Sequence, residues 1–439
     1  MTLIEFFLWF EQLISLPAVI VFLGVAIILT IKIGFLQITG FKKLFSLLRH
    51  GISHAQQPKN SVKMHTINSF HALAAAMGTT IGMGNLTGPP IALFVGGPGA
   101  LFWLLIYIFF SSATKFAEVS FALHTRTETT DGHIIGGPMQ YLRLIHPYLA
   151  QWYAFVMLGV FISWSMAQSN NLASVFAQEG IPSWVTGLAL ATLTFTVLIG
   201  GSQRVGNFAS KVVPFMFFFY ISCALYLLFQ DIPALWHALL TIVKNAFSAQ
   251  SAFGGFAGAT VYQAVKSGLY KGVFISEAGM GTSSIPHAVA DVKYPTDQGI
   301  LALYSMISDA LLSLISGLLV LIAKVHTYGP YRTTLLYEVF AAHSPLFRYI
   351  FIITICLFVF TTLIGNSYNG RQVFGALTKF QGVIWYLLVT MILIFGAALM
   401  HTKVVWDVVD FLLPFVAIPH LIGLLILAYR YPDVLKIRK

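Results

Sequence analysis

Long apolar runs alternate with short polar segments along almost the whole chain. Each run is hydrophobic on every face, whereas a helix on the surface of a soluble protein carries a single apolar stripe. A bilayer core of about 30 Å needs roughly 20 such residues per helix, because lipid offers no partner to a free backbone group. The pattern predicts an all-α polytopic membrane protein with about 11 transmembrane helices, at residues 13–34, 68–95, 99–123, 150–178, 183–200, 211–229, 254–287, 298–323, 347–369, 381–400 and 409–429.

Two of these spans, 68–95 and 254–287, are interrupted by glycine and proline and resemble each other. Both contain Gly-Met-Gly, at 82–84 and 279–281, with small and hydroxyl residues around it and proline after it. Each broken span opens a group of five, and because five crossings is an odd number the two groups have opposite orientations. This pattern is typical of transporters with inverted repeats, in which unwound turns offer free backbone groups to ion and substrate.

The repeat divides the chain into five parts. We expect an N-terminal transmembrane helix and a basic cytoplasmic loop in 1–67, the first five-helix repeat in 68–229, and the second, inverted repeat in 254–429. The connecting segment 230–253 has the pattern of an amphipathic helix that lies at the membrane interface. Residues 430–439 are expected to form a cytoplasmic tail.

The composition supports a membrane protein and excludes several other classes. Of the 439 residues, 57% are hydrophobic and 9% are charged, against about 25% charged residues in an average soluble protein. So few charges cannot cover a chain of this length with a solvated surface, which excludes a soluble enzyme and a disordered protein. The two cysteines lie inside apolar runs and predict neither a disulfide nor a metal ligand.

The net charge of +10 indicates topology and not nucleic-acid binding, because Lys and Arg lie between the apolar runs. With eleven crossings, 19 of the 25 Lys and Arg fall on one side of the membrane, beginning with six from Lys32 to Lys63. Cytoplasmic loops carry the excess of basic residues. We therefore expect the N-terminus outside and the C-terminus in the cytoplasm.

Catalytic motifs are missing from the sequence. The chain contains no Gly-x-Ser-x-Gly, His-Glu-x-x-His or P-loop pattern, so we do not expect an enzyme. A channel, or a transporter-like receptor that binds its substrate without moving it, is compatible with the same spans. Saturable, accumulative uptake would distinguish a transporter from both.

A family resemblance rests on ten stretches, of which SEAGMG and GGPM are the most specific. The chain resembles the alanine/glycine:cation symporter family, bacterial sodium:amino-acid symporters, from about residue 70 to the last span. The matching stretches are GMGNLTG (82–88), GGPGALFW (96–103), ATKFAEVSFALHTR (113–126), GGPMQYL (136–142), AQSNNLA (167–173), VVPFMFFFY (212–220), GGFAGATV (254–261), SEAGMGTSSIPHA (276–288), FTTLIGNSYNG (360–370) and AIPHLIGLL (417–425).

The resemblance implies a leucine-transporter (LeuT) type of 5+5 inverted repeat with two discontinuous helices. It implies import of a small neutral amino acid such as alanine or glycine with sodium, by alternating access, across the bacterial cytoplasmic (inner) membrane. The implied partners are the amino acid, Na⁺ and the lipid bilayer, without nucleic acid, an obligate protein partner or a cofactor beyond the coupling ion. Coupling to protons or another cation, and a larger substrate, remain alternatives.

For sodium, the resemblance implies oxygen ligands from the first broken helix and the ninth span, since a hard cation prefers hard oxygen ligands. One set joins the side chain of Asn85 to the Thr80 carbonyl. The other joins the hydroxyls of Thr361 and Thr362 to the carbonyls of Gly78 and Ile81. The competing interpretations are an interhelical hydrogen bond for the asparagine and bonds to the i−4 carbonyl for the threonines.

The implied substrate site uses N–H groups of the first unwound turn for the carboxylate and polar side chains around it. Its residues are Thr79, Met83, Gly84, Gln168, Ser276 and Asn366. Gln168 belongs to a polar patch in an otherwise apolar span, and such a patch should face the bundle interior because it is costly in lipid. Ser276, Asn366 and Arg371 differ from the family pattern, which leaves the exact amino acid open.

Several charged residues lie in or beside the spans. Glu277 and Asp309 are candidates for ion coupling. For Glu277, a structural ion pair with the lysines that precede it, such as Lys271, is an equal alternative. Lys115 and Glu118 are three residues apart, and we expect them to pair on one helix near the inner surface.

Overall fold

The computed structural model describes residues 3–50, 66–129, 132–199, 201–248, 260–323 and 334–437. Residues 51–65 of the predicted basic loop and 254–259 of the seventh span lie outside the described residues. The described residues are almost entirely helical, with two short 3₁₀ turns at Leu142–Leu144 and Pro432–Leu435. The α-helices are α1 Leu3–Ile33, α2 Leu36–Thr39, α3 Phe41–His50, α4 Ser69–Thr80, α5 Met83–Gly96, α6 Gly99–Thr125, α7 Pro138–Tyr141, α8 Pro147–Gln178, α9 Ser183–Leu198, α10 Gly201–Leu228, α11 Ile232–Asn245, α12 Val261–Ser276, α13 Ser284–Ala288, α14 Pro295–Leu301, α15 Leu303–Ile322, α16 Leu335–His343, α17 Pro345–Thr378, α18 Val383–Ala398 and α19 Thr402–Arg430.

The helices match the predicted spans. Each of the eleven spans corresponds to one long helix or to one pair of consecutive helices. In the described part of the chain, seven segments are long and apolar enough to cross a membrane: α1, α6, α8, α10, the α14–α15 pair, α17 and α19. The helices α9 and α18 are shorter and equally apolar. The prediction of an all-α polytopic membrane protein is confirmed.

Some helix ends differ from the predicted ends of the apolar runs. Helix α17 continues to Thr378, although hydropathy placed the end of its span at residue 369. Polar residues at a helix end do not break the backbone hydrogen bonds, so the helix continues until Lys379 adopts the left-handed conformation with φ of 54°. Helix α1 likewise begins at Leu3 and not at residue 13.

Both predicted breaks are present, and they differ in shape. At the first break α4 ends at Thr80 and α5 begins at Met83, with Gly82 in extended backbone. At the second break α12 ends at Ser276 and seven residues separate it from α13. Gly279 and Gly281 have φ angles of 95° and 75°, which a side chain rarely allows. The second break therefore depends on glycine conformation.

Small residues allow the broken helices to pack closely against their neighbours. A Cβ on Gly272 of α12 would lie 2.9 Å from the Tyr107 ring of α6. A Cβ on Gly365 of α17 would lie 3.2 Å from the backbone nitrogen of Thr79 in α4. Such close helix contacts are typical of membrane proteins, where van der Waals packing holds helices together.

Several short elements lie outside the spans, among them α2, α3, α7 and α16. The predicted amphipathic segment forms α11, which buries Ala238 and Ile242 and exposes Trp236. Its position at a membrane interface stays a prediction. A short antiparallel hairpin joins β1, Thr127–Glu128, to β2, Ile134–Ile135. Two-residue strands carry no readable alternation, so the sequence pattern did not predict them.

Candidate functional site

A small cavity lies beside the first break, between α4, α5, α8, α12 and α17. Half of the twelve predicted ion and substrate residues line it. Three residues of the lining were not assigned to the substrate or sodium site from the sequence, namely Trp164, Phe274 and Glu277. The full lining is Thr79, Thr80, Gly84, Trp164, Gln168, Phe274, Glu277, Thr362 and Asn366.

Amide side chains hold the backbone of the first break. The Met83 N–H donates to Oε1 of Gln168 at 3.2 Å, and the Gly82 N–H donates to Oδ1 of Asn85 at 3.3 Å. Nδ2 of Asn85 then donates to a carboxylate oxygen of Asp309 on α15 at 3.2 Å. Asn85 therefore makes an interhelical hydrogen bond, as the alternative to a sodium ligand suggested. Its amide oxygen faces the break.

Thr362 contacts the first break directly. Its hydroxyl donates to the carbonyl oxygen of Ile81 at 3.3 Å. A Cβ on Gly82 would collide with the same hydroxyl, so α17 approaches the break only because residue 82 is glycine. Two hard oxygens, one from each side of the helix interface, thus lie together at the edge of the cavity.

The hydroxyl of the neighbouring Thr361 contacts its own helix and the sulfur of Met216 on α10, which lies 3.5 Å away. It donates to the carbonyls of Leu357 at 2.9 Å and Phe358 at 3.0 Å, as threonine commonly does in membrane helices. Its backbone lies close to Gly78 of α4, where a Cβ would be 3.9 Å from the Thr361 carbonyl oxygen. The structure brings both residues to the α4–α17 interface but not into the cavity lining.

Ser276 does not line the cavity either. Its hydroxyl donates to the Gly272 carbonyl one turn back at 2.7 Å and accepts from the Ala278 N–H at 3.3 Å. A serine at the last position of a helix can satisfy these local groups, and this competes with a role in a pocket. Its carbonyl oxygen accepts from Nζ of Lys115 at 2.6 Å.

Aromatic side chains close one side of the cavity. The rings of Trp164 and Phe274 meet edge to face with their centroids 5.8 Å apart, and Phe274 meets Trp406 in the same way at 5.2 Å. Trp164 precedes Gln168 by four residues on α8, so helical periodicity places both on one face. That spacing was the available sequence signal for Trp164.

Glu277 does not form the ion pair with Lys271 that was the alternative to a coupling role. Glu277 accepts hydrogen bonds from Thr79 at 3.4 Å and from Thr282. Lys271 pairs instead with Asp410 of α19 at 3.3 Å. Lys271 lies in the middle of α12 and not in a loop, so it does not report on membrane orientation.

The prediction that Lys115 and Glu118 pair with each other is wrong. Both side chains are fully buried and reach the second break, where each binds a backbone group. Glu118 accepts from the N–H groups of Gly279 at 2.7 Å and Gly281 at 3.1 Å through one oxygen, Oε1. Sequence reasoning missed these contacts because the partners are more than 160 residues apart.

Three more side chains bind carbonyl groups of the second break. Tyr107 donates to Ala278 and Tyr153 donates to Met280, each at 2.7 Å. Nδ1 of His420 lies 2.8 Å from the Gly279 carbonyl oxygen. Protein side chains thus satisfy the second break from α6, α8 and α19, whereas the first break borders the cavity.

The arrangement of two broken helices around a polar cavity agrees with comparisons to known proteins. The sequence profile of the sodium:alanine symporter family matches residues 2–437. The chain belongs to this family. Members of the sodium:alanine symporter family are transporters and not enzymes, and the chain is accordingly a multi-pass, cation-coupled amino-acid transporter.

Two relatives cover nearly the whole chain. The sodium/alanine symporter AgcS of Methanococcus maripaludis is 32% identical over 93% of this chain and 91% of its own length. The probable sodium/glutamine symporter GlnT of Bacillus subtilis is 31% identical over 96% of this chain and 86% of its own length. The family thus includes relatives named for amino acids of different size.

Solved structures agree on the fold. MhsT in complex with L-phenylalanine superposes with a TM-score of 0.58 at 12% identity, covering 84% of this chain and 91% of that one. A manganese transporter of Eremococcus coleocola gives a TM-score of 0.55 at 13% identity over 88% and 85% of the two chains. This sodium:alanine symporter family member therefore has the LeuT fold.

Proposed function

We propose that the chain imports a small neutral amino acid, such as alanine or glycine, together with Na⁺ by alternating access. The observation that carries the proposal is the hydroxyl of Thr362 against the Ile81 carbonyl at the first break, beside the cavity. Oxygen groups of this kind suit sodium, and a broken helix at mid-membrane is where transporters of this type hold their ions. The sodium named for two relatives supports the same ion.

The cavity suits an amino acid in zwitterionic form. Helix α5 begins at the cavity, and the positive end of its dipole favours a carboxylate near Gly84. Glu277 is the acidic side chain in the lining and offers an opposite charge to an ammonium group. Trp164 and Phe274 leave a small apolar face for the side chain. These features favour a compact substrate.

Sodium supplies the driving force in this proposal. One Na⁺ moving down about 100 mV provides roughly 2.3 kcal/mol before any concentration gradient is counted. That energy corresponds to about a 40-fold accumulation, since each 1.4 kcal/mol is a factor of ten. Coupling requires that sodium and amino acid each bind more tightly when the other is present.

We also propose that the chain lies in the bacterial inner membrane with its N-terminus outside and its C-terminus in the cytoplasm. The basic residues between α1 and α4 and those of the C-terminal tail support this orientation through the positive-inside rule.

The experiment is uptake of radiolabelled alanine and glycine into proteoliposomes. We expect accumulation with an inward Na⁺ gradient and little uptake when K⁺ or choline replaces Na⁺ at equal ionic strength. Equal uptake in all three salts would contradict sodium coupling. Uptake that follows an imposed proton gradient without Na⁺ would assign the proton as the coupling ion.

A second candidate substrate is an amino acid with a polar side chain, such as glutamine. Oδ1 of Asn366, in the cavity lining, has no hydrogen-bond partner in the part of the chain that the structure describes. A buried amide oxygen without a partner is costly and favours a ligand with a donor. Competition of labelled alanine uptake by glutamine in the wild type, and its loss in Asn366→Leu, would support this candidate.

A further inference from the structure

The second break forms a backbone pocket for an anion. Gly279 and Gly281 both have positive φ, and their N–H groups point at the same place. Successive N–H groups that converge in this way form a nest, a concave arrangement that binds anions. In many proteins a nest holds a phosphate or a carboxylate of a ligand.

Here the anion belongs to the protein. Oε1 of Glu118 lies 2.7 Å from the Gly279 nitrogen and 3.1 Å from the Gly281 nitrogen. The side chain is fully buried, and its second oxygen has no hydrogen-bond partner among the described residues. Both hydrogen bonds that this carboxylate accepts from the described residues therefore come from the nest.

A histidine closes the same pocket from α19. Nδ1 of His420 lies 2.8 Å from the Gly279 carbonyl and 3.9 Å from Glu118, while Nε2 lies 2.6 Å from the Tyr141 hydroxyl. Because the carbonyl needs a donor, Nδ1 carries the proton and Nε2 accepts from the tyrosine. A side chain of α19 therefore also borders the nest.

Lys115 complements this arrangement one turn earlier on α6. Its ammonium group donates to the carbonyl of Ser276, the last residue of the sixteen-residue helix α12. The C-terminal end of a helix carries partial negative charge, which a cation stabilises. One helix therefore presents a cation to the carbonyl end of α12 and an anion to the N–H groups that follow.

We propose that Glu118 is a resident anion that fills the nest of the second break, with Lys115 as its cationic counterpart. Both act as positioning residues that fix the unwound backbone. A filled nest cannot receive the carboxylate of a substrate, so this carboxylate is directed to the first break. The binding of the substrate carboxylate at the first break rests on the proposed function. The binding of Glu118 in the nest does not.

Chemical rescue tests the occupied nest without any transport. In purified Glu118→Ala, formate should raise the melting temperature in a saturable way, because it replaces the missing carboxylate. Neutral formamide should have no such effect, and neither compound should stabilise the wild type or Glu118→Gln, whose pocket is filled. Absence of a formate-specific shift in Glu118→Ala would overturn the proposal. If this variant is recovered only when purified in formate, that recovery is the same positive result.

Transport kinetics test whether Glu118 positions the unwound backbone. They also decide whether the proposal stands if Glu118→Ala cannot be purified. Glu118→Gln keeps the shape and removes the charge, so we expect Vmax for alanine to fall at least tenfold with KM changed less than twofold. The exposed Glu128→Gln on β1 is the matched control. Wild-type kinetics in Glu118→Gln, or a tenfold rise in KM at constant Vmax, would overturn the proposal. If the wild type transports no alanine, the proposed function fails while the formate result still stands.

Discussion

The hydroxyl of Thr362 lies 3.3 Å from the carbonyl oxygen of Ile81, so that α17 touches the broken helix at the point where its backbone is unwound. The two residues are 281 positions apart in the chain. They come from the two proposed repeats, which makes their contact sensitive to any relative movement of the repeats. An ion held between them would link binding to that movement.

Thr362→Val removes the hydroxyl and keeps the side-chain shape. We expect the sodium-stimulated part of alanine uptake to fall at least tenfold, because the variant lacks both the proposed sodium ligand and the hydrogen bond to the Ile81 carbonyl. The measurement is initial uptake against Na⁺ concentration. The control is Thr354→Val, a buried threonine of the same helix whose hydroxyl donates to the Ile350 carbonyl one turn back. Equal losses in the two variants would indicate general damage to α17.

Gly82→Ala tests the close approach at the first break. The added methyl group would overlap the Thr362 hydroxyl, which forces α17 away from α5. Overpacking of this kind typically costs about 1–3 kcal/mol. We expect a lower melting temperature in detergent and loss of uptake.

The matched control for this substitution is Gly24→Ala in α1, where an added Cβ meets nothing within 4 Å. It should melt at or above the wild-type temperature, because alanine favours the helix over glycine. A Gly82→Ala variant with normal stability and normal uptake would show that the contact between the two helices is dispensable.

Single cysteines test the proposed orientation. In a variant with Cys223 and Cys356 replaced by serine, we expect Lys436→Cys in the C-terminal tail to react with a membrane-impermeant maleimide only after lysis. Lys244→Cys on α11 should react in intact cells, because six predicted spans precede this helix and an N-terminus outside then places it on the outer side. Labelling with the opposite pattern would reverse the topology.

The breaks could be predicted from the sequence because their signal is local. Gly-Met-Gly at 82–84 and 279–281, with proline after it, stands out within apolar runs. The spacing of Thr362 and Asn366, four residues apart on one helix, also places both toward the cavity. The local pattern therefore predicted the broken helices, and the family resemblance predicted six of the nine residues that line the cavity.

Contacts between distant segments could not be predicted. Nothing near Glu118 in the sequence indicates that it meets Gly279 and Gly281, and its proximity to Lys115 suggested a local pair instead. Ser276 lies outside the cavity lining because its hydroxyl donates to the carbonyl one turn back, a local contact that competes with a role in a pocket. Three-dimensional packing decides which of these options each side chain takes.

The central claim, coupling between Na⁺ and amino acid, is tested most directly by the reverse flux. In proteoliposomes with equal Na⁺ on both sides, an inward alanine gradient should drive radiolabelled Na⁺ into the vesicles, because coupling between two ligands is reciprocal. We expect Na⁺ entry that saturates with alanine and is lost in Thr362→Val. Na⁺ entry that is unchanged by alanine, in vesicles that do take up alanine, would contradict sodium symport.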